Sequence, residues 1–255
     1  MDTVWQLLPA HLWAATLAVA LFAGVVKGIV GFALPMICVS MIGSFASPQL
    51  AIAGMLLPTL VTNLMQALAA GRAGARLAVS RFRLFLLAGL VCMVATAQLV
   101  PAIPPRLYFL GLGIPVSLYA IIMLAGYAYA RVSQRPSLDI SVGAVAGLFG
   151  GLAGIWGPPT VAYLTALQTP KAQQMQIQGV IYFSGTVVLI AAHGVSGIVT
   201  EQTLLFSAVL VVPAMLGMAL GLVAQRHIDQ NLFRRATLVV LLIAGANLVR
   251  RGMMA

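Results

Sequence analysis

The chain has 255 residues, of which 62% are hydrophobic and only 7% charged. An ordinary soluble domain carries roughly a quarter charged residues, so 14 basic and 4 acidic side chains cannot furnish a water-facing shell. The composition excludes a soluble enzyme, a disordered chain and a nucleic-acid-binding domain, and leaves a polytopic membrane protein. The net charge of +10 falls between apolar runs, where it reads as a topology signal and as lipid-headgroup contacts.

No basic stretch precedes the first apolar run and no small-residue cleavage site follows it, which reads against a removed signal peptide. Charge-free stretches then follow in order: Thr3 to Val26, Gly28 to Gly71, Leu84 to Pro105, Leu107 to Ala130, Ile140 to Pro170, Ala172 to Thr200, Gln202 to Gln225 and Ala236 to Val249. A spanning helix needs about 20 apolar residues. The runs are continuous rather than alternating, so they predict helices and not a barrel. Cys38 and Cys92 both sit inside apolar runs, where free cysteine packs as a small hydrophobe. The segment with Arg72, Arg76, Arg81 and Arg83 reads as a basic loop, and Asp229 as the cap of the last helix.

The sequence repeats itself. Ala23-Gly24-Val25-Val26-Lys27-Gly28-Ile29-Val30-Gly31-Phe32 returns as Ala146-Gly147-Leu148-Phe149-Gly150-Gly151-Leu152-Ala153-Gly154-Ile155. At the same offset Pro35 aligns with Pro158, Asn63 with Thr186 and Gly71 with Gly194. A helix start follows each glycine motif, Ser47-Pro48 and Thr169-Pro170, in which the hydroxyl caps free N–H groups and proline fits the first turn. The domain reading is an N-terminal membrane repeat over 1–131, a linker over 132–138 and a C-terminal membrane repeat over 139–255.

Two topologies compete. If every stretch spans, eight simple crossings result and the basic residues are nearly balanced. If the glycine–proline segments, about 11–46 and 140–168, are hairpin-like, each half keeps three spanning helices and the halves are inverted. Arg72, Arg76, Arg81, Arg83, Arg131, Arg135, Lys171, Arg226, Arg234 and Arg235 then share one face, against Arg106, Arg250 and Arg251 on the other. The positive-inside rule favours the inverted arrangement. The fold class is thus all-α and polytopic, with two homologous halves, each a Gly/Pro-broken hairpin plus three spans.

Duplicated, Gly/Pro-interrupted segments point to a transporter's binding site near the midplane. Tight helix packing through small-xxx-small motifs is the competing use of the same glycines. The candidate backbone contacts are Gly31, Phe32 and Pro35 in the first segment and Gly154, Trp156, Gly157, Pro158 and Thr160 in the second. Half-helices starting after Pro35 and Pro158 would aim N–H groups at an anion. Lys27 is the one basic residue deep in an apolar run, and all four acids lie at segment ends. Its partner is therefore a carbonyl, water or an anionic substrate, unless it snorkels to an interface or titrates to neutral. Gln174, Gln178, Tyr182 and Thr186 are four apart and share a helix face, with His193 on the same face as a proton-linked candidate. Thr59, Asn63 and Gln66 form the shorter counterpart. Neutral donors of this kind can hold an oxyanion, and can equally bond helix to helix. The sequence has no P-loop, no nucleophile elbow and no Cys/His metal spacing. The reading is of no catalytic residue, no metal, no cofactor and no enzyme.

With the two glycine–proline segments, the Ser/Thr-Pro helix starts, and Ala88-Gly89 and Leu216-Gly217 in later helices, the chain resembles the TauE/SafE family, the sulfite exporter or toluene-sulfonate uptake permease family. The resemblance covers nearly the whole chain. Where the family often has consecutive glycines, this sequence has Phe32-Ala33 and Ile155-Trp156-Gly157. The resemblance implies a secondary transporter of a small anion such as sulfite, an organosulfonate or another sulfur compound, in a bacterial inner membrane, working by alternating access. The expected partners are that anion and the bilayer, with no nucleic acid. A co-carried proton or cation and a homo-oligomer stay open. So do a small-carboxylate substrate, a non-transporting accessory role and an intramembrane thiol site at Cys38.

Overall fold

The computed structural model describes residues 2–97, 104–126, 131–154, 156–195 and 197–254. Ile155, the last residue of the repeated motif, lies outside them, as do 98–103 and 127–130 at the ends of the third and fourth apolar stretches. The described residues form helices: α1 (Asp2–Trp5), α2 (Ala10–Val30), α3 (Leu34–Ile42), α4 (Pro48–Ala67), α5 (Gly71–Arg81), α6 (Arg83–Ala97), α7 (Pro105–Leu124), α8 (Pro136–Ala153), α9 (Gly157–Ala166), α10 (Lys171–Val195), α11 (Glu201–Arg226) and α12 (Gln230–Met254).

The molecule is apolar on its outer face and buries a set of polar side chains within its core. Leu87, Val91, Val212, Leu216, Leu220 and Ile243 are exposed, whereas Lys27, Thr62, Asn63, Gln66, Gln178 and Thr186 are buried. Water would not tolerate that surface, but a bilayer would, since helices satisfy their interior backbone groups among themselves. Among the described residues, five helices are long and apolar enough to cross a membrane: Ala10–Val30, Gln49–Ala67, Lys171–Val195, Glu201–Arg226 and Gln230–Met254. Gly71–Arg81 with Arg83–Thr96, bent by 73°, makes a sixth if taken as one span. The chain is a multi-pass, all-helical membrane protein. The basic segment read as a loop is in fact the helix α5. No proline lies between Gly71 and Arg81, and Ala78 turns inward as its one buried side chain.

Both repeated motifs end a helix in the same way. Gly31 (φ 89°) closes α2 and Gly154 (φ 65°) closes α8, both left-handed. Each donates its N–H to the carbonyl four residues back, Lys27 and Gly150, at 2.7 Å. A β-carbon is disfavoured in that conformation, so glycine sets where each broken segment turns. Pro35 and Pro158 then sit in the first turns of the half-helices α3 and α9, as the sequence leads one to expect.

The glycines also set helix packing. A β-carbon on Gly28 would lie 2.8 Å from the Cα of Gly221, and one on Gly217 would lie 2.9 Å from the Val25 nitrogen. Gly24 and Gly28 of α2 thus interlock with Gly217 and Gly221 of α11, paired small-xxx-small motifs at backbone contact. The contacts advance together along both chains, so these helices are parallel. Gly89 of α6 meets Gly143 and Gly147 of α8 in the same parallel sense. By contrast α7 and α12 are antiparallel, Leu110 lying against Gly252 and Ser117 against Gly245.

Candidate functional site

Helices α4 and α10 cross at the centre of the protein. Gly179 packs on Gln66 and Ala67, and one turn and more beyond, Asn63 Nδ2 donates to Thr186 Oγ1 at 3.1 Å. These helices are therefore antiparallel, and the bonded pair lies 123 residues apart, which is the offset of the sequence repeat. On the other side α4 runs with α2: Asn63 lies beside Lys27 and Gln66 beside Gly31.

Lys27 is the centrepiece. It is 1% exposed, its ammonium donates to Asn63 Oδ1, and it stands 5.9 Å from the centre of the Tyr182 ring. Both partners are neutral. The described carboxylates are engaged elsewhere: Asp139 accepts from Tyr163 at 2.7 Å and from Gln134, Glu201 sits in the first turn of α11, and Asp229 accepts the Leu232 N–H at 2.7 Å as the cap of α12. Lys27 does not snorkel to an interface; it is held inside by an amide and an aromatic face.

The two broken segments meet over it. A cavity of about 20 Å³ is lined by Lys27, Phe32, Pro35, Thr59, Asn63, Gly154, Trp156, Gly157 and Tyr182, with Ala33 and Met36. That is space for about one water-sized group, so the site is closed tightly around its polar centre. Ala33 holds φ 79°, a strained conformation for a residue with a β-carbon. Sequence reasoning missed Ala33 and Met36, since neither has a polar group to announce it. Trp156 and Tyr182 are neighbours, with ring centres 6.1 Å apart.

The other expected residues lie off the cavity wall. Thr186 stands one hydrogen bond behind Asn63. Gly31, Gln66 and Gln178 form an adjoining polar cluster in which Gln66 Nε2 donates to the Gly31 carbonyl at 3.0 Å. Both amide atoms of Gln178, together with Gln66 Oε1, are buried without a hydrogen-bond partner. Thr160 is buried and gives its hydroxyl to the Trp156 carbonyl at 2.8 Å. Neither Thr160 nor Pro158 lines the cavity. His193 lies near the end of α10, only partly buried and away from the cavity wall. Cys38 is buried in the apolar core, also off that wall.

One comparison with known proteins spans these elements. The family model described as sulfite exporter TauE/SafE matches residues 16–248. The chain belongs to the TauE/SafE family. It is accordingly a member of a family of membrane transporters of sulfur-containing anions. Within this TauE/SafE chain the match takes in every residue of the central cavity. No curated protein and no solved structure matches it.

Proposed function

We propose that this TauE/SafE protein is a secondary transporter, and not an enzyme, that carries a small sulfur oxyanion, sulfite or an organosulfonate, through the central cavity. The observation that carries the reading is the Lys27 ammonium, buried among neutral groups where both broken segments converge. An ammonium at depth in a membrane is costly. A bound anion offsets that cost, and Asn63, Tyr182 and the backbone of α3 and α9 supply neutral contacts for its oxygens. The organism's cytoplasmic membrane is the proposed location, bacterial in the reading of the family. The protein reconstituted in liposomes is expected to move sulfite down its gradient while acetate and chloride stay behind. Equal rates for all three would remove the substrate reading.

The proposed mechanism is alternating access by two inverted halves, 1–131 and 139–255, joined by 132–138. Antiparallel crossing of α4 and α10 at equivalent residues supports the inversion, as does the antiparallel pair α7–α12. The parallel pairs α2–α11 and α8–α6 exchange roles between the halves in the same sense. The shared direction of α2 and α4 supports a hairpin, since α3 must then carry the chain back. Against simple counting, α2 itself is 21 residues long and has the length of a full crossing. Single cysteines placed at positions 72 and 200 are expected to react with impermeant thiol reagents from opposite faces. Labelling from the same face would contradict the inverted layout.

A further inference from the structure

A second polar cavity lies at one end of the bundle, where α9 ends and α10 and α12 begin. It has a volume of about 290 Å³, and Thr169, Gln174, Gln230, Phe233, Arg234 and Thr237 are among its lining residues. Thr169 and Thr237 are 5% and 3% exposed, and the hydroxyl oxygens of both are buried without a hydrogen-bond partner. Burying an unpartnered hydroxyl is unfavourable, and two of them on one cavity wall mark a place built for a ligand. The counterpart start shows what Thr169 would otherwise do: Ser47 accepts the Leu50 N–H at 3.2 Å and caps α4. Thr169 leaves α10 uncapped by its side chain, and the residue lines the cavity instead.

The surroundings favour an anion. The N-termini of α10 and α12, each 25 residues long, open here with their positive dipole ends. Lys171 crosses between them, its ammonium donating to the Gln225 carbonyl at 3.2 Å and to that of Ile228. Gln230 Oε1 accepts the Lys171 N–H at 3.0 Å. The nearby acid, Asp229, is committed to the first turn of α12.

The same face of α10 leads inward. Gln174 lines this cavity, Gln178 follows one turn on with both amide atoms unpartnered, and Tyr182 lines the central cavity. Gln174 and Tyr182 are eight residues apart, about 12 Å along the helix. We propose that the outer cavity is a loading vestibule that binds a small oxyanion through Thr169, Thr237 and Arg234, and passes it along Gln174 and Gln178 to the Lys27 site. The passage inward rests on the proposed function; binding in the vestibule does not.

The test is equilibrium dialysis of radiolabelled sulfite against the full chain in nanodiscs of zwitterionic lipid, with melting temperature as the fold control. Thr169→Val with Thr237→Val is expected to bind one sulfite fewer per chain than the wild type. It is also expected to raise the half-saturating concentration for transport from that face by about five-fold or more, with little change in maximal rate. Arg234→Gln, at a partly exposed position, reads the same site if the double variant fails to fold. Undiminished binding in a folded variant overturns the proposal. Loss of the threonine-dependent sulfite on adding anionic lipid also overturns it, because the occupant is then a lipid headgroup. If Lys27→Met leaves binding intact while the threonine variant reduces it, the vestibule stands and the central-cavity reading falls.

Discussion

Replacing Lys27 with methionine is expected to abolish sulfite transport while leaving the protein folded. Methionine keeps the length and apolar stem of lysine, so the packing against Tyr182 survives. What disappears is the one buried ammonium and its bond to Asn63. Losing one partner of a desolvated, hydrogen-bonded charge pair typically costs about 2–5 kcal/mol, which is roughly thirty-fold to several thousand-fold in anion affinity. Since the lysine has only neutral partners in the described protein, the unliganded variant has no buried carboxylate left stranded beside it. It is expected to melt near the wild-type temperature, because removing a membrane-buried charge offsets the loss of the donor to Asn63 Oδ1. Flux in liposomes and thermal melting of the same preparation check this. A folded Lys27→Met protein with wild-type sulfite flux would show that the charge serves no anion.

The second large effect is on stability. Gly217→Val is expected to destabilise the protein by on the order of 3 kcal/mol or more, at or beyond the upper end of ordinary overpacking. A β-carbon there lies 2.9 Å from the Val25 nitrogen and equally close to the Leu21 carbonyl carbon. The obstacles are backbone atoms of α2, which cannot turn aside as a side chain could. Separating α2 from α11 would also move Lys27, which sits in the same stretch as Gly24 and Gly28. Melting and monodispersity of the purified variant measure the effect. By comparison Gly111→Ala, with open space around its β-carbon, is expected to change melting little. A Gly217→Val protein that melts with the wild type would contradict the backbone-contact packing.

The two uses of glycine that the sequence leaves in competition both occur, at different positions. Gly31 and Gly154 end their helices and form the broken segments, whereas Gly24, Gly28, Gly217 and Gly221 bring helices together. Periodicity cannot separate these uses, because it reports which residues are small but not which backbone faces them. The pairing of Asn63 with Thr186 was within reach of the repeat alone, since residues at matching positions in duplicated halves can meet where equivalent helices cross. Phe32, Pro35, Gly154, Trp156 and Gly157 stood out through the duplicated glycine–proline segments, and Lys27 through its charge inside an apolar run. Three features were not. Thr169-Pro170 has the spacing of an ordinary capped start, and only the three-dimensional position of its hydroxyl reveals that it caps nothing. Ala33 gives no sign in its chemistry of a left-handed backbone. The basic stretch after Gly71 carries too many arginines to suggest a buried face, yet a single alanine suffices to seat α5.

The position of the polar residues carries the functional argument further than their identity does. A glutamine or threonine inside a membrane helix normally bonds a neighbouring helix, and Asn63, Gln66 and Thr186 do so. Gln178 does not, although it is buried at 0% exposure. It lies between the outer cavity and Lys27 on the face that joins them, where an unpaired amide can serve a passing anion at each stage of its movement.

Thermal stability of the purified protein against sulfite, methanesulfonate, acetate and chloride tests the central claim most directly. A ligand that binds only the folded state contributes about 2.7 kcal/mol at a hundred times its dissociation constant, a readily measured rise in melting temperature. Sulfite or the sulfonate is expected to raise it in the wild type and to have no such effect on Lys27→Met, with acetate and chloride inert in both. Equal stabilisation of wild type and Lys27→Met by sulfite, or stabilisation by acetate but by neither sulfur anion, would contradict a sulfur-oxyanion site built on Lys27.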